Sequence, residues 1–388
     1  MTIASIDTAT AELDLDRSDW ELVSFGDVAK KQNASVDREN TDLTRYIAGE
    51  HMGSEDLHLR EWGELGDDYL GPAFTRKFCE GDILYGSRRT YLRKVAVAHF
   101  DGITANTTFV IKPNEELIQK ELLPFVMLSE GFTQHSIRNS KGSVNPYINW
   151  KDIANYEFLL PPKDQQAILA ELLWAADAAV ESHAAIDDGV QSAMAALFRE
   201  TISESFEDTP LSEVGQVVTG ATPPTKNKAF WDGGSVPFVT PADFKDSPYI
   251  ESVERTITPA GMESVRPLPE NTVLVVSIGT IGKVAISSSE CATNQQINAI
   301  IPHADFSPVY VMQALRIFKH RILARSGATT LPIINKGEFS KVRIPRIGRD
   351  KSIQFQEGFR SIEAARAASL VRARNLRQLL KSLINQIF

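Results

Sequence analysis

The segment Ser87 Arg88 Arg89 Thr90 Tyr91 Leu92 Arg93 Lys94 gathers four cations and a tyrosine within eight residues, between two β-rich runs. Cations on such a turn can neutralise phosphates, and an arginine can also place two parallel hydrogen bonds on a guanine edge in the major groove. The plain alternative is a solvated hairpin tip, because charge runs are often just exposed faces. Further along, Arg316, Lys319, His320, Arg321 and Arg325 form a basic helical face leading into Ser326 Gly327 Ala328 Thr329 Thr330 Leu331 Pro332. Arg138, Lys141 and Ser143 occupy the matching place earlier in the chain, and Lys283 and Lys336 add later cations. The hydroxyls of Ser143, Thr329 and Thr330 and the amides of Asn145, Asn149 and Asn335 are of a type that contacts phosphates or base edges. Turn chemistry and helix capping use the same residue types, and capping is the better account of Asn149 and Asn335, which stand just before an apparent turn or strand. The candidate nucleic-acid contacts are therefore Arg88, Arg89, Tyr91, Arg93, Lys94, Arg138, Lys141, Ser143, Lys283, Arg316, Lys319, Arg325, Thr329, Thr330 and Lys336. Trp62, Trp150 and Trp231 read as packed side chains rather than stacking platforms.

No other chemistry assembles from the residue types. Ser277 Ile278 Gly279 Thr280 Ile281 Gly282 Lys283 is glycine-rich but lies between two expected strands and reads as a hairpin, not a phosphate-binding loop. A His-Glu-x-x-His helix, a Gly-x-Ser-x-Gly elbow and the Asn/Asp-Pro-Pro-aromatic signature of an amino-methyltransferase are all missing. The seven histidines are dispersed, and Cys79 and Cys291 have no partners at metal-ligand spacing. These patterns speak against an enzyme and against a metal site. Without a signal-like start or a run of about 18 apolar residues, a reducing cytoplasm is the expected compartment and no membrane partner is expected.

The loops must be positioned by something, and the chain states that scaffold twice. Ser140 to Asn149 followed by Phe158 Leu159 Leu160 Pro161 returns as Ser326 to Asn335 followed by Ile344 Pro345. Asn149 to Asn335 and Phe158 to Ile344 both span 186 residues, close to half of the 388-residue chain. Glu80 Gly81 Asp82 Ile83 Leu84 with Lys94 Val95 Ala96 Val97 likewise answers to Glu270 Asn271 Thr272 Val273 Leu274 with Lys283 Val284 Ala285 Ile286. A period this long marks a duplicated domain, since solenoid units are much shorter.

Each half reads as a mixed module followed by a long helix. Strands are expected at Gly81 to Tyr85, Val95 to Phe100 and Phe109 to Ile111. The second module repeats them at Pro237 to Thr240, Val273 to Ser277, Val284 to Ser287 and Ile297 to Ile301. A helix is expected at Lys120 to Arg138 and again at Pro308 to Arg325. From Asp164, an apolar stripe through Ile168, Leu172, Ile186, Val190 and Leu197 recurs at steps of three and four, and from Lys351 a second runs through Phe359, Ile362, Leu376, Leu380 and Leu383. The expected fold class is α+β, with divisions at 1–15, 16–162, 163–204, 205–347 and 348–388. The two long helices are expected to pack as an antiparallel coiled coil.

Charge supports that pairing. The formal net charge of −9 argues at face value against nucleic acid, but it is unevenly placed. Lys163 to Glu204 holds 2 basic and 8 acidic side chains, a net of −6, whereas Gly348 to Phe388 holds 8 basic and 3 acidic, a net of +5. An acidic and a basic helix favour each other over self-association.

At this point the chain resembles the specificity subunit of type I restriction-modification systems. The resemblance rests on Trp20 to Val28 and Leu211 to Val214 opening the copies, Gly81 to Leu84 and Gly282 to Ala285 in their middles, and Pro161 Pro162 Lys163 Asp164 Gln165 Gln166 closing the first. The stretch from Pro345 to Lys351 lacks that acidic-Gln-Gln ending. The resemblance implies two target-recognition domains, each reading half of a bipartite duplex DNA sequence, with the helical pair as a ruler for the spacer. It also implies two methyltransferase subunits as partners, using S-adenosylmethionine, and restriction subunits using ATP and Mg; this chain itself would carry no cofactor. A scaffold whose duplicated modules bind proteins is the alternative from another class.

Overall fold

A computed structural model describes residues 13–37, 40–66, 70–203, 207–245, 247–327 and 332–388. It divides into two units, one comprising Met1–Ala185 with Ser369–Phe388, the other Ile186–Ala368. The division falls inside both long helices, not at the module ends expected from the sequence. The reason is packing, since each unit recruits part of both helices to close its own core.

In the first unit, one sheet runs in the order Ala29–Gln32, Thr108–Pro113, Ile83–Gly86, Val95–Val97, all antiparallel. The central strand is apolar on both faces because it separates two cores: Ile83 and Tyr85 join one cluster and Leu84 the other. A second sheet, Gly63–Glu64, Arg45–Ile47, Gly102–Ala105, Phe74–Phe78, includes a parallel pairing of Arg45–Ile47 with Gly102–Ala105. Glu21–Ser24 pairs with Glu157–Leu160 beside the start of the central helix. The expected helix from Lys120 to Arg138 is two helices, Leu123–Leu128 and Glu130–Arg138. Buried Ser129 adopts extended backbone between them, its Oγ accepting from Phe132 N at 3.2 Å and donating to Val126 O at 2.8 Å. A serine that caps a helix in this way ends the one before it.

The second unit repeats the plan. Gly215–Thr219, Ile297–Pro302, Val273–Val276 and Val284–Ser287 follow the same antiparallel order, and Tyr249–Ile250 extends the sheet in parallel. Val273 and Val275 face one core and Leu274 and Val276 another, as Ile83, Tyr85 and Leu84 do. Val236–Val239 pairs in parallel with Ala292–Thr293. The expected helix from Pro308 to Arg325 is broken at Phe318 into Pro308–Ile317 and Lys319–Leu323.

The central helix spans Lys163–Ile202 and the C-terminal helix Arg349–Ile387. Leu169, Ala170, Leu173, Leu383, Ile384 and Ile387 share the core of the first unit, while Val190, Met194, Phe198, Phe355 and Phe359 share that of the second. In the first unit His183 Nδ1 and Ser369 Oγ, one from each helix, lie 3.0 Å apart. The stripe on the C-terminal helix keeps the expected register: Phe359 and Leu383 are buried, and Ile362, Leu376 and Leu380 half-buried. On the central helix it does not. Ile168, Leu172 and Ile186 are exposed, at 68%, 37% and 37%, whereas Val190 is buried and Leu197 half-buried. The buried line runs instead through Gln166, Leu169, Leu173, Asp177 and Val180. Two of its members are polar, which hides it from an apolar-period reading. Gln166 bonds to Gln119 N, Leu117 O and Pro161 O, and Asp177 to His58. Among the described residues no helix is long and apolar enough to cross a membrane.

Candidate nucleic-acid interface

The basic turn and the repeated loop, 46 residues apart from Lys94 to Ser140, meet in the first unit. Gly86 N donates to Lys94 O at 3.0 Å, closing the turn, and a 3-10 helix at Thr90–Leu92 fills it, flanked by Arg89 and Arg93 in left-handed backbone. The loop folds back on itself through paired hydrogen bonds between Lys141 and Tyr147 of 2.8 and 2.9 Å. It docks on the turn through Arg89 N to Pro146 O at 2.6 Å and Ile148 N to Ser87 O at 2.9 Å. Thr90 Oγ1 and Ser140 Oγ, hydrogen-bonded at 3.0 Å, fasten the other side. A third loop enters through Ser87 N to Thr107 O at 3.0 Å.

The second unit reproduces this wiring. Val276 N donates to Lys283 O at 3.0 Å, Ile334 N to Ser277 O at 3.0 Å, Gly279 N to Pro332 O at 3.1 Å and Ser277 N to Gln296 O at 2.7 Å. Gly327 N to Ile333 O, 3.1 Å, answers to the Lys141–Tyr147 pair. Backbone equivalence therefore places Arg88 and Arg89 opposite Ile278 and Gly279. The scaffold is shared and the tip chemistry is not.

Ion pairing sorts the candidate cations. Arg93 has only 11% of its side chain exposed and is held by Glu55 at 2.8 Å, Glu130 at 2.9 Å and Leu128 O at 2.7 Å. Its guanidinium fastens the turn to the neighbouring helix, which corrects its placement among DNA contacts. Arg316 is corrected likewise: Nε and Nη2 both donate to Val284 O, and burial lowers its pKa. Arg321 pairs with Asp208 at 2.8 Å, and Arg325 shares Glu338 with Lys341. Lys94 donates to Gly49 O, and Lys141 meets Asp152 at 3.0 Å, whose carboxyl is held below its usual range chiefly by that bond. Arg88, Arg89 and Arg138 in the first unit and Lys283, Lys319 and Lys336 in the second are exposed, with no side-chain partner among the described residues. Lys319 lays its stem over Gly282, at φ +84°, so two of these lysines flank one hairpin tip.

Around the first tip, Tyr91, Ser143, Val144 and Tyr147 are exposed, Val144 by 90%. Asn149 and Asn335 each precede a short helix, and Asn335 Oδ1 accepts from Glu338 N at 2.9 Å. Thr329 and Thr330 lie outside the described residues. The sequence reading missed the third loop, where Thr222 Oγ1 donates to exposed Gln295 Oε1 at 2.7 Å. The signal was present, since Thr104 Ala105 Asn106 returns as Ala292 Thr293 Asn294 with the first two residues exchanged.

Two copies of one α+β scaffold, each presenting converging loops with unengaged cations, define a duplicated recognition protein. A family model described as the type I restriction modification DNA specificity domain matches residues 17–192 and 203–346. The HindI type I restriction enzyme specificity subunit of Haemophilus influenzae is 22% identical over 433 residues, covering 89% of this chain and 93% of its own length. The MjaIX specificity subunit of Methanocaldococcus jannaschii is 32% identical over 161 residues, 38% of this chain and 36% of its own. In fold, the S subunit of a type I restriction-modification system from M. genitalium is similar with a TM-score of 0.57 at 11% identity, over 97% of this chain and 98% of that one. A chain from a study of complex assembly and conformational transition of the type I R-M system gives 0.58 at 16% identity, over 95% and 97%. The chain belongs to the type I restriction modification DNA specificity family, in two copies of the domain. That membership sets it with the specificity subunits, which are not the catalytic members of their complexes.

Proposed function

We propose that the chain binds a bipartite, asymmetric duplex DNA target, each module reading one half, and positions methyltransferase subunits, with or without restriction subunits, upon it. The observation carrying this reading is the shared wiring of the two loop pairs beneath unlike tips, Arg88 and Arg89 in one and Ile278 and Gly279 in the other. Two readers of different sequences need a common frame and divergent contacts. Arg88, Arg89, Tyr91, Arg138, Lys141 and Ser143 form the proposed surface of the first module. Lys283, Lys319, Arg325 and Lys336, with Thr329 and Thr330, form that of the second. The long helices act as an antiparallel coiled-coil spacer between the readers. S-adenosylmethionine, ATP and Mg belong to the partners, which supply the chemistry and much of the positive surface. A chain of net charge −9 gains DNA affinity from such an assembly.

Sequencing the methylome of the host with and without this gene tests the reading. Loss of one bipartite adenine mark is the expected result. An unchanged methylome together with no duplex binding by the assembled complex would leave the modules as protein-binding scaffolds.

A further inference from the structure

Arg89 occupies a backbone position at which its counterpart is glycine. The equivalence is structural: Arg89 N donates to Pro146 O as Gly279 N does to Pro332 O, and the preceding serines, Ser87 and Ser277, accept from Ile148 and Ile334. Both positions are left-handed, at φ +50° for Arg89 and +79° for Gly279. Glycine adopts that conformation freely, whereas any residue with a Cβ is strained in it. The same scaffold is thus built once with the residue that suits the turn and once with one that does not. Among the described residues, no side-chain interaction of Arg89 compensates. The Arg89 side chain is exposed and engages no other described residue, in contrast to Arg93 four positions later, also left-handed, whose guanidinium is held by two carboxylates and a carbonyl. Strain without an internal return is a mark of a functional position.

We infer that Arg89 is a specificity-determining residue of the first module, its guanidinium spanning O6 and N7 of a guanine in the half-site that module reads. The inference rests on the proposed DNA reading and deepens it. A phosphate is bound as well by a cation on a relaxed backbone, and Arg88 and Arg138, exposed and with no positive φ, are available in the same module. A guanine edge is matched best by a planar fork, which lysine lacks. The 3-10 turn and the Pro146 carbonyl fix the Arg89 backbone from which that fork projects. Gly279 offers no side chain, so the second half-site is read without a counterpart of this contact.

The test uses the full chain assembled with its methyltransferase partners. The target is mapped from the wild-type methylome, and binding is measured on duplexes of that target with each base pair substituted in turn. R89G should unfold at a midpoint equal to or above that of the wild type. It should lose discrimination at one G·C pair of one half-site by about 5- to 150-fold, with every other position unaltered. R89K should restore it only in part. A loss spread evenly over all sequences with a shallower salt dependence would make Arg89 a phosphate contact and overturn the inference. Unchanged discrimination would overturn it as well. Failure of the wild-type complex to bind any duplex would instead defeat the proposed function, and that result is seen before any variant is made.

Discussion

Within the turn from Ser87 to Lys94, four cations that are equivalent by composition have different fates, decided by neighbours distant in sequence. Arg93 is taken up by Glu55 and Glu130, Lys94 by Gly49 O, while the side chains of Arg88 and Arg89 have no partner among the described residues. Residue type and spacing identified the segment, but they could not tell a structural arginine from a free one because the acceptors come from other elements. Arg93→Ala should destabilise the protein by about 1–3 kcal/mol, the cost of losing a largely buried guanidinium and its three bonds, moderated because Glu55 and Glu130 are partly exposed and keep Lys381 and Gln134 as donors. Denaturant unfolding measures it, and base discrimination by the folded complex should be unaltered. His58 provides a second test at this scale. Its hydrogen bond to Asp177 at 2.8 Å, aided by the Glu181 and Asp56 carboxylates, raises its pKa above the ordinary 6.5 against the opposing effect of burial. Arg60, paired with Asp56 and Glu181, faces the same cluster. Because the folded pKa is the higher one, the stabilisation is fully present below the unfolded value and is lost as pH rises through the folded value. The stability difference between wild type and His58→Gln should therefore be larger near about pH 5.5 than near about pH 8.5; an equal difference at both would show that the charged pair contributes nothing.

At the scale of elements, strands were legible wherever an apolar run fills a layer between two cores, as in Val273–Val276, and the long helices were legible from composition and period. The helical face was not. The central helix is rich in alanine, so several adjacent stripes look alike, and the stripe it buries includes Gln166 and Asp177 because those side chains bond to the module beside them. Similarly, the breaks at Ser129 and Phe318 lie within continuous helical patterns, and Ser129 acts through a cap that only its geometry discloses. The corrected face has a direct consequence. Leu173, fully buried in the first unit, should cost about 2–5 kcal/mol when replaced by alanine, while Ile168→Ala should change stability by no more than about 0.5 kcal/mol. Equal losses in urea unfolding would restore the sequence-derived stripe.

For the whole molecule, the 186-residue repeat predicted two modules, and the structure shows how far the repetition reaches: it extends to individual backbone hydrogen bonds and stops at the side chains of the tips. What the repeat could not disclose is that each unit takes part of both long helices into its core, since that depends on packing between segments remote in the chain. For the proposed spacer role of the helices, this arrangement constrains where residues can be added. An insertion within the segments that line either core would disturb a reader, whereas one at the division of the units, after Ala185 and after Ala368, adds helix without displacing a core residue. Seven residues make nearly two full turns and return the following residues to almost the same face. At 1.5 Å per residue they add about 10 Å, comparable to roughly three base pairs of duplex at 3.4 Å each. A heptad inserted at both points should therefore shift the spacer length tolerated in the methylome by up to about three base pairs and leave the bases of both half-sites as they were. If the specified bases changed while the spacer did not, the helices would be part of the readers rather than the distance between them.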